Sequence, residues 1–270
     1  MPVRTSVLLL ALVVAPVFSQ NFAEVDGARI HYETVGQGEP LLLIHGFSSS
    51  GAAWQPFREV LSAKFRLIVV DMRGHGRSTN PGKTFTHRQS AKDMFAVMDK
   101  LGFKTIKAMG ISSGGMTLLH MATQQPDRVE AMALIGATVY FPEQARAILR
   151  KTDPDNIAPA AMERMRKQHV HGDEQIRQLR TNFRDFKDSY DDMNFTGPLL
   201  STIKARTLIV HGDRDEFFPV NIPVEMYRSI PRSFLWIIPN GGHVPITGPS
   251  KDLFAATAID FFSGKGWGVQ

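Results

Sequence analysis

Short runs, apolar throughout except for Lys107, punctuate the chain at residues 41–44, 67–70, 106–109, 132–135, 208–210 and 234–238. A strand exposed on one face alternates polar with apolar residues, whereas one that is apolar at every position is buried on both faces, as inside a parallel sheet. One stretch does alternate: residues 28–35 read with period two after Val25-Asp26-Gly27. Asp-Gly is a favoured two-residue hairpin turn because both positions tolerate positive φ, so an antiparallel hairpin is expected ahead of the parallel strands.

Between these runs the period lengthens. Residues 52–63, 88–101, 116–125, 222–229 and 250–262 read as helices, with Met94, Val97, Met98 and Leu101 on one face of the second and Phe254, Ala258, Phe261 and Phe262 in register on the last. Strand and helix alternate, which predicts an α/β fold whose mostly parallel central sheet is flanked by helices and binds ligands beyond the carboxyl ends of its strands. The alternation fails once, at residues 138–203, where the pattern is helical and broken by Pro142, Pro154, Pro159 and Pro198. There Ile176, Leu179, Phe183 and Phe186 share one face while Arg177, Arg180 and Arg184 share another, so this segment must pack against something. It is expected to be a helical cap inserted between two parts of one core, residues 20–137 and 204–264.

The first 19 residues follow a different pattern. Arg4 precedes the apolar stretch 7–15, and Pro16-Val17-Phe18-Ser19 closes it with small residues at the positions a signal peptidase reads. The run is too short to span a bilayer, so the expectation is a signal peptide cleaved after Ser19 and a secreted or periplasmic protein with no stable membrane anchor.

Composition narrows the chemistry. The 270 residues are 43% hydrophobic, enough for a sizeable core, and 31 basic side chains stand against 26 acidic ones without a basic block. That argues against a nucleic-acid partner despite the net charge of +5. With no cysteine there are no disulfides or thiolate metal sites. His169 and His171 form an H-x-H, but two ligands are too few for a metal and the pair reads as a solvated helix end. No cofactor or metal is expected.

The chemistry-bearing segment is Gly110-Ile111-Ser112-Ser113-Gly114-Gly115, placed between a strand-like run and a helical one. G-x-S-x-G in that setting holds a serine on a sharp, strained turn from which the flanking glycines remove colliding side chains. Ser112 is the expected nucleophile, and the Ser113 N–H at the helix start is an oxyanion donor. A serine hydroxyl needs a base, and His243, in the loop after the last strand, is the candidate. His45 and His75 read as turn-stabilising hydrogen-bonders, and His31, His87 and His120 as packing or surface residues on their elements. The orienting acid lies in Asp213-Arg214-Asp215-Glu216. Asp215 is preferred because Asp213 follows its strand so closely that it would bond its own turn, with Glu216 a third choice. The second oxyanion donor is expected from the loop after the first long strand, at the Phe47 N–H.

Taken together, His45-Gly46-Phe47, the turn from Asp71 to Ser78, the serine turn, Asp215 followed by Pro219, and Gly242-His243 resemble the α/β-hydrolase superfamily across residues 25–262. In particular they look like its small capped members, which include esterases, lactonases, carbon–carbon bond hydrolases and cofactor-free haloperoxidases or perhydrolases. The resemblance implies that the aspartate four residues before the proline, Asp215, is the triad acid and that Asp71, Arg73, His75 and Ser78 form a structural turn. Serine at the nucleophile position departs from haloalkane dehalogenases and most epoxide hydrolases, which carry aspartate there.

The expected function is hydrolysis of small to medium carboxylic esters through an acyl-enzyme. Carbon–carbon hydrolysis or perhydrolase chemistry on the same triad is the enzymatic alternative. A ligand-binding protein with little turnover is the alternative of another class, and its sign would be a broken triad or oxyanion turn. Trp54, Tyr140, Phe141, Phe183, Phe217, Phe218 and Val244 are candidates for an apolar pocket, though each also suits a core.

Overall fold

The computed structural model describes residues 21–267. The expected signal peptide and its cleavage site lie outside the described residues. Asn21–Val25 (β1) and Ala28–Val35 (β2) form the expected hairpin, with the turn residues Asp26 and Gly27 at φ 46° and 73°. Then follow Glu39–Ile44 (β3), Arg58–Ser62 (α1), Phe65–Val70 (β4), His87–Lys100 (α2), Ile106–Ile111 (β5), Ser113–Gln124 (α3) and Val129–Ile135 (β6). After them come four helices in succession, Glu143–Arg150 (α4), Pro159–Gln168 (α5), Asp173–Asp185 (α6) and Gly197–Leu200 (α7). The chain then returns to Arg206–Gly212 (β7), Asn221–Ser229 (α8), Ser233–Ile238 (β8) and Lys251–Phe262 (α9).

The strands make one eight-stranded sheet in the order β1-β2-β4-β3-β5-β6-β7-β8, antiparallel at β1–β2 and β2–β4 and parallel elsewhere. Because side chains along a strand point alternately to opposite faces, each apolar run feeds two cores at once. Leu42, Ile68, Ala108, Leu134 and Ile209 face α2, α3 and α8, while Leu41, Leu67, Met109, Ala133 and Val210 face α1 and α9. The run at 234–238 does not mark a doubly buried strand: β8 is the sheet's edge, and four of those five residues are only half-buried.

The expected helix at 52–63 is split. Gly51–Phe57 is a 3-10 segment and α1 begins only at Arg58, because Pro56 has no N–H to enter an α-helical ladder. Between β6 and β7 no regular strand occurs, only the isolated bridge between Tyr140 and Asn194. Ala145 and Leu149 of α4 and Ile176 and Leu179 of α6 are buried there. Arg146 holds the segment internally: its guanidinium donates to the carbonyls of Phe141 (3.0 Å), Phe186, Lys187 and Ser189 (2.9 Å), and stacks on Tyr190. Among the described residues no helix is long and apolar enough to cross a membrane.

Candidate active site

At the end of β5 the chain turns into α3 through Ser112, which is held at φ 50° and ψ −116°. A non-glycine residue in that region costs on the order of 1–3 kcal/mol, so the surrounding contacts must impose it. They do so on both sides: the Ser112 N–H donates to Ile135 O at 2.7 Å and its carbonyl accepts from Met116 N at 3.0 Å. A Cβ at Gly110 would run into the backbone of Gly114, and one at Gly114 into the backbone of Ile44. The two glycines therefore serve close approach of strand, turn and helix, and α3 starts at Ser113 rather than at the expected 116 because the turn itself opens the helix.

The loops after β7 and β8 bring their side chains to this turn. His243 places Nε2 2.9 Å from Ser112 Oγ and Nδ1 2.9 Å and 3.1 Å from the two carboxylate oxygens of Asp215. A carboxylate only accepts, so Nδ1 carries the proton and Nε2 is left to take one from the serine. Burial works against ionisation of Asp215, but hydrogen bonds from His243 and from the N–H groups of Phe217 (2.8 Å) and Phe218 (3.1 Å) outweigh it and hold the carboxyl below its ordinary value. The division of labour between the neighbouring aspartates differs from expectation. Asp215 both closes its own turn and reaches His243, whereas Asp213 Oδ1 is buried without a hydrogen-bond partner.

The loop after β3 is fixed by histidines. His45 Nδ1 donates to Gly46 O at 2.7 Å and its Nε2 accepts from Met72 N at 3.0 Å. Since the Gly46–Phe47 peptide is trans, a carbonyl pinned to His45 turns the Phe47 N–H the opposite way. Ser48 N donates to His75 Nε2 at 3.1 Å, and His169 Nε2 meets Ser48 O at 3.3 Å while its Nδ1 accepts from Gly76 N at 3.0 Å. Burial pushes His45 down to about 4 and lowers His75 and His169 as well, so these bonds are made by neutral rings. Among the described residues neither the Phe47 N–H nor the Ser113 N–H has an acceptor.

A cavity of about 370 Å³ opens over Ser112 and His243. Phe141, Phe183, Phe217, Phe218 and Val244 line it as expected, together with Phe47, Phe57, Met116, Leu149, Phe186 and Ile246. Two expected lining residues do not. Trp54 is fully buried against Phe57 on the far side of the 3-10 segment, in the core beneath α9, and Tyr140 pairs its backbone with Asn194 away from the cavity. Among the described residues no Lys, Arg, Asp or Glu lines the cavity, and His243 is the one titratable group there.

Residues 39–195 match the family model described as alpha/beta hydrolase fold. The chain belongs to the α/β-hydrolase family. It is a hydrolase, similar to the serine hydrolase BPHL of Mus musculus at 29% identity over 229 residues, covering 81% of this chain and 78% of that protein. It is also similar to the 2-hydroxy-6-oxononadienedioate/2-hydroxy-6-oxononatrienedioate hydrolase of Escherichia coli, at 26% identity with 83% and 89% covered. Among solved structures, a thermophilic esterase from Thermogutta terrifontis shares the fold at a TM-score of 0.72 and 22% identity, with 92% of this chain and 99% of that one covered.

Two features of the hydrolase were not legible in the sequence. His169 is 1% exposed and bridges the helical segment between β6 and β7 to the loop after β3, so it is not a solvated helix end; only His171 of the H-x-H is exposed. Among the described residues no cluster suited to a metal ion is present. The second is a pair of buried groups: His87, at the first turn of α2, sits between Asp192 and Ser113. The turn from Asp71 to Ser78 has the structural part expected of it, with Asp71 accepting from Gly51 N (2.8 Å), Arg77 N (3.0 Å) and His31, and Arg73 paired with Asp93.

Proposed function

We propose that the hydrolase cleaves carboxylic esters of small to medium size through an acyl-enzyme on Ser112. In this reading His243 removes the Ser112 proton through Nε2 as Oγ attacks the ester carbonyl, and Asp215 fixes the imidazole tautomer and balances the imidazolium that forms. The N–H groups of Phe47 and Ser113 receive the tetrahedral oxyanion. His243 then protonates the departing alcohol, and a water activated by the same imidazole releases the acid.

The observation that carries the ester reading is the cavity wall. It is largely apolar around the triad and, among the described residues, offers no cation, which suits an uncharged acyl chain. Similarity to the Escherichia coli dienedioate hydrolase favours carbon–carbon bond hydrolysis as a second reading. A dienedioate, however, brings two carboxylates, and a buried carboxylate without a paired cation is costly. The cavity lining argues against that substrate class, though not against an uncharged ketone.

Labelling with a fluorophosphonate, followed by a panel of p-nitrophenyl esters of increasing acyl length, tests the proposal. The label is expected on Ser112, with turnover of short and medium esters and none by Ser112→Ala, whose melting temperature stays at the wild-type value. Label on another serine, or cleavage of a dienedioate far faster than of any ester, would overturn it.

A further inference from the structure

A second serine–histidine–aspartate array lies next to the first. Ser113 Oγ is 3.0 Å from His87 Nε2, and His87 Nδ1 is 2.6 Å from Asp192 Oδ2. Asp192 is fixed independently, because its carboxylate also accepts the backbone N–H of His87 (2.7 Å) and of Arg88 (3.0 Å) at the start of α2. Its burial disfavours the charge, yet the bonds from His87 and from those N–H groups outweigh that and keep the carboxyl ionised far below its ordinary range. His87 is wholly buried and enclosed by Phe85, Phe141 and Phe186. Ser113, Phe141 and Phe186 all line the catalytic cavity.

The direction of these bonds follows from the acceptor-only carboxylate. Asp192 takes the Nδ1 proton; in the arrangement where Nε2 carries none, its lone pair takes the Ser113 hydroxyl proton, and Ser113 Oγ is left with lone pairs and no proton to give. Among the described residues His87 is the one hydrogen-bond partner of that oxygen. That acceptor belongs to a residue of the largely apolar cavity wall, one position from the nucleophile. Neighbouring Cα atoms are about 3.8 Å apart, and Ser112 and Ser113 line one cavity, so a group carried on Ser112 Oγ lies close to the wall to which Ser113 belongs.

Resting on the ester reading above, we propose that Ser113, oriented by His87 and Asp192, selects the acyl group by accepting a hydrogen bond from a hydroxyl close to the scissile carbonyl. The preferred substrates are then esters of 2- or 3-hydroxy acids. A buried acceptor that a plain acyl chain leaves unpaired penalises that chain, and sites built to bond a substrate hydroxyl discriminate through this penalty. His87 and Asp192 are positioning residues here, since neither touches the substrate.

The test compares kcat/KM for p-nitrophenyl 3-hydroxybutyrate, butyrate and 3-methoxybutyrate, using both enantiomers of the substituted acids. Wild type is expected to favour the hydroxy ester over both others by about five- to tenfold, a single net hydrogen bond. In Ser113→Ala that ratio falls to near one, whatever happens to the absolute rates. His87→Gln, whose amide oxygen replaces the Nε2 acceptor, keeps the preference. His87→Phe frees the Ser113 proton and moves the preference toward the methoxy ester, an inversion that a merely structural role would not produce. Equal ratios in wild type and Ser113→Ala, or a wild-type preference for the methoxy ester, overturn the inference while leaving ester hydrolysis standing. Failure of wild type to turn over any of the three, with Ser112 unlabelled by fluorophosphonate, overturns the ester reading and this inference with it.

Discussion

At the scale of single residues, neighbours of the same chemistry are separated by what each oxygen can reach. Asp213 and Asp215 stand two positions apart on one loop, yet only Asp215 meets His243, and it does so while accepting two backbone N–H groups that hold its carboxylate still. Asp215→Asn therefore removes the charge that balances the imidazolium and can orient the wrong tautomer, and it is expected to lower kcat by about 10⁴. Asp213→Asn is expected to leave kcat within a few-fold of wild type, because Asp213 touches no member of the triad and its buried Oδ1 is already without a partner. Steady-state kinetics of the two variants decide it, and the reverse pattern would move the acid to Asp213. Ser112, His243 and Asp215, which the fold brings together, were legible because each follows an apolar run. The Ser113–His87–Asp192 array was not, because Asp192 is more than 100 residues from His87 and carries no pattern of its own.

Single elements show where local preference yields to context. The 3-10 segment at Gly51–Phe57 follows from one proline, and the early start of α3 from a strained serine, so both departures are local in cause though not in period. The helical segment between β6 and β7 is different, because its helices are joined by a side chain rather than by strands. Arg146, 6% exposed, spreads its donors over four carbonyls around Phe141, Phe186 and Ser189, and the first two rings stack at 5.3 Å to form part of the cavity wall. Arg146→Ala leaves those buried carbonyls unpaired and is expected to cost about 3 kcal/mol in denaturant unfolding. With the wall loosened, KM for medium-chain esters should rise more than kcat falls. An unchanged denaturation midpoint would show that the carbonyls find water instead.

The whole molecule carries an acid liability built from several buried rings. Burial pushes His45 and His120 down to about 4 and lowers His75, His169 and His211 from the ordinary 6.5. In the unfolded chain these rings take up protons near 6.5, so the unfolded state binds more protons than the folded one at any pH between 6.5 and about 4. Their contribution to stability is complete above that window and is lost as pH falls through it. Asp71, Asp192 and Asp215, all lowered from 3.8, add a second loss that begins only below that value. The melting temperature is accordingly expected to fall from about pH 6.5 to about pH 4 and to go on falling below 3.8, where the carboxylates take over from the rings. A melting temperature flat across the upper window would contradict the neutral, buried state of the rings that hold the loop after β3.

The sequence by itself determined the layered α/β architecture, because strands apolar on both faces and helices apolar on one have a single economical arrangement: a sheet covered on both sides. It also determined the serine turn, since two glycines flanking a serine between strand and helix are demanded by backbone clearance. What the tertiary structure decided were the contacts between segments far apart in the chain. Whether an aromatic lines a cavity or fills a core depends on which element faces it, which is why Trp54 is core and Phe186 is wall. The run at 234–238 looks in sequence like any doubly buried strand, and only its place at the sheet's edge leaves it half-exposed. Likewise, a histidine is solvated, structural or coupled to the site according to the partners the fold brings within hydrogen-bond distance, and residue type alone carries no record of them.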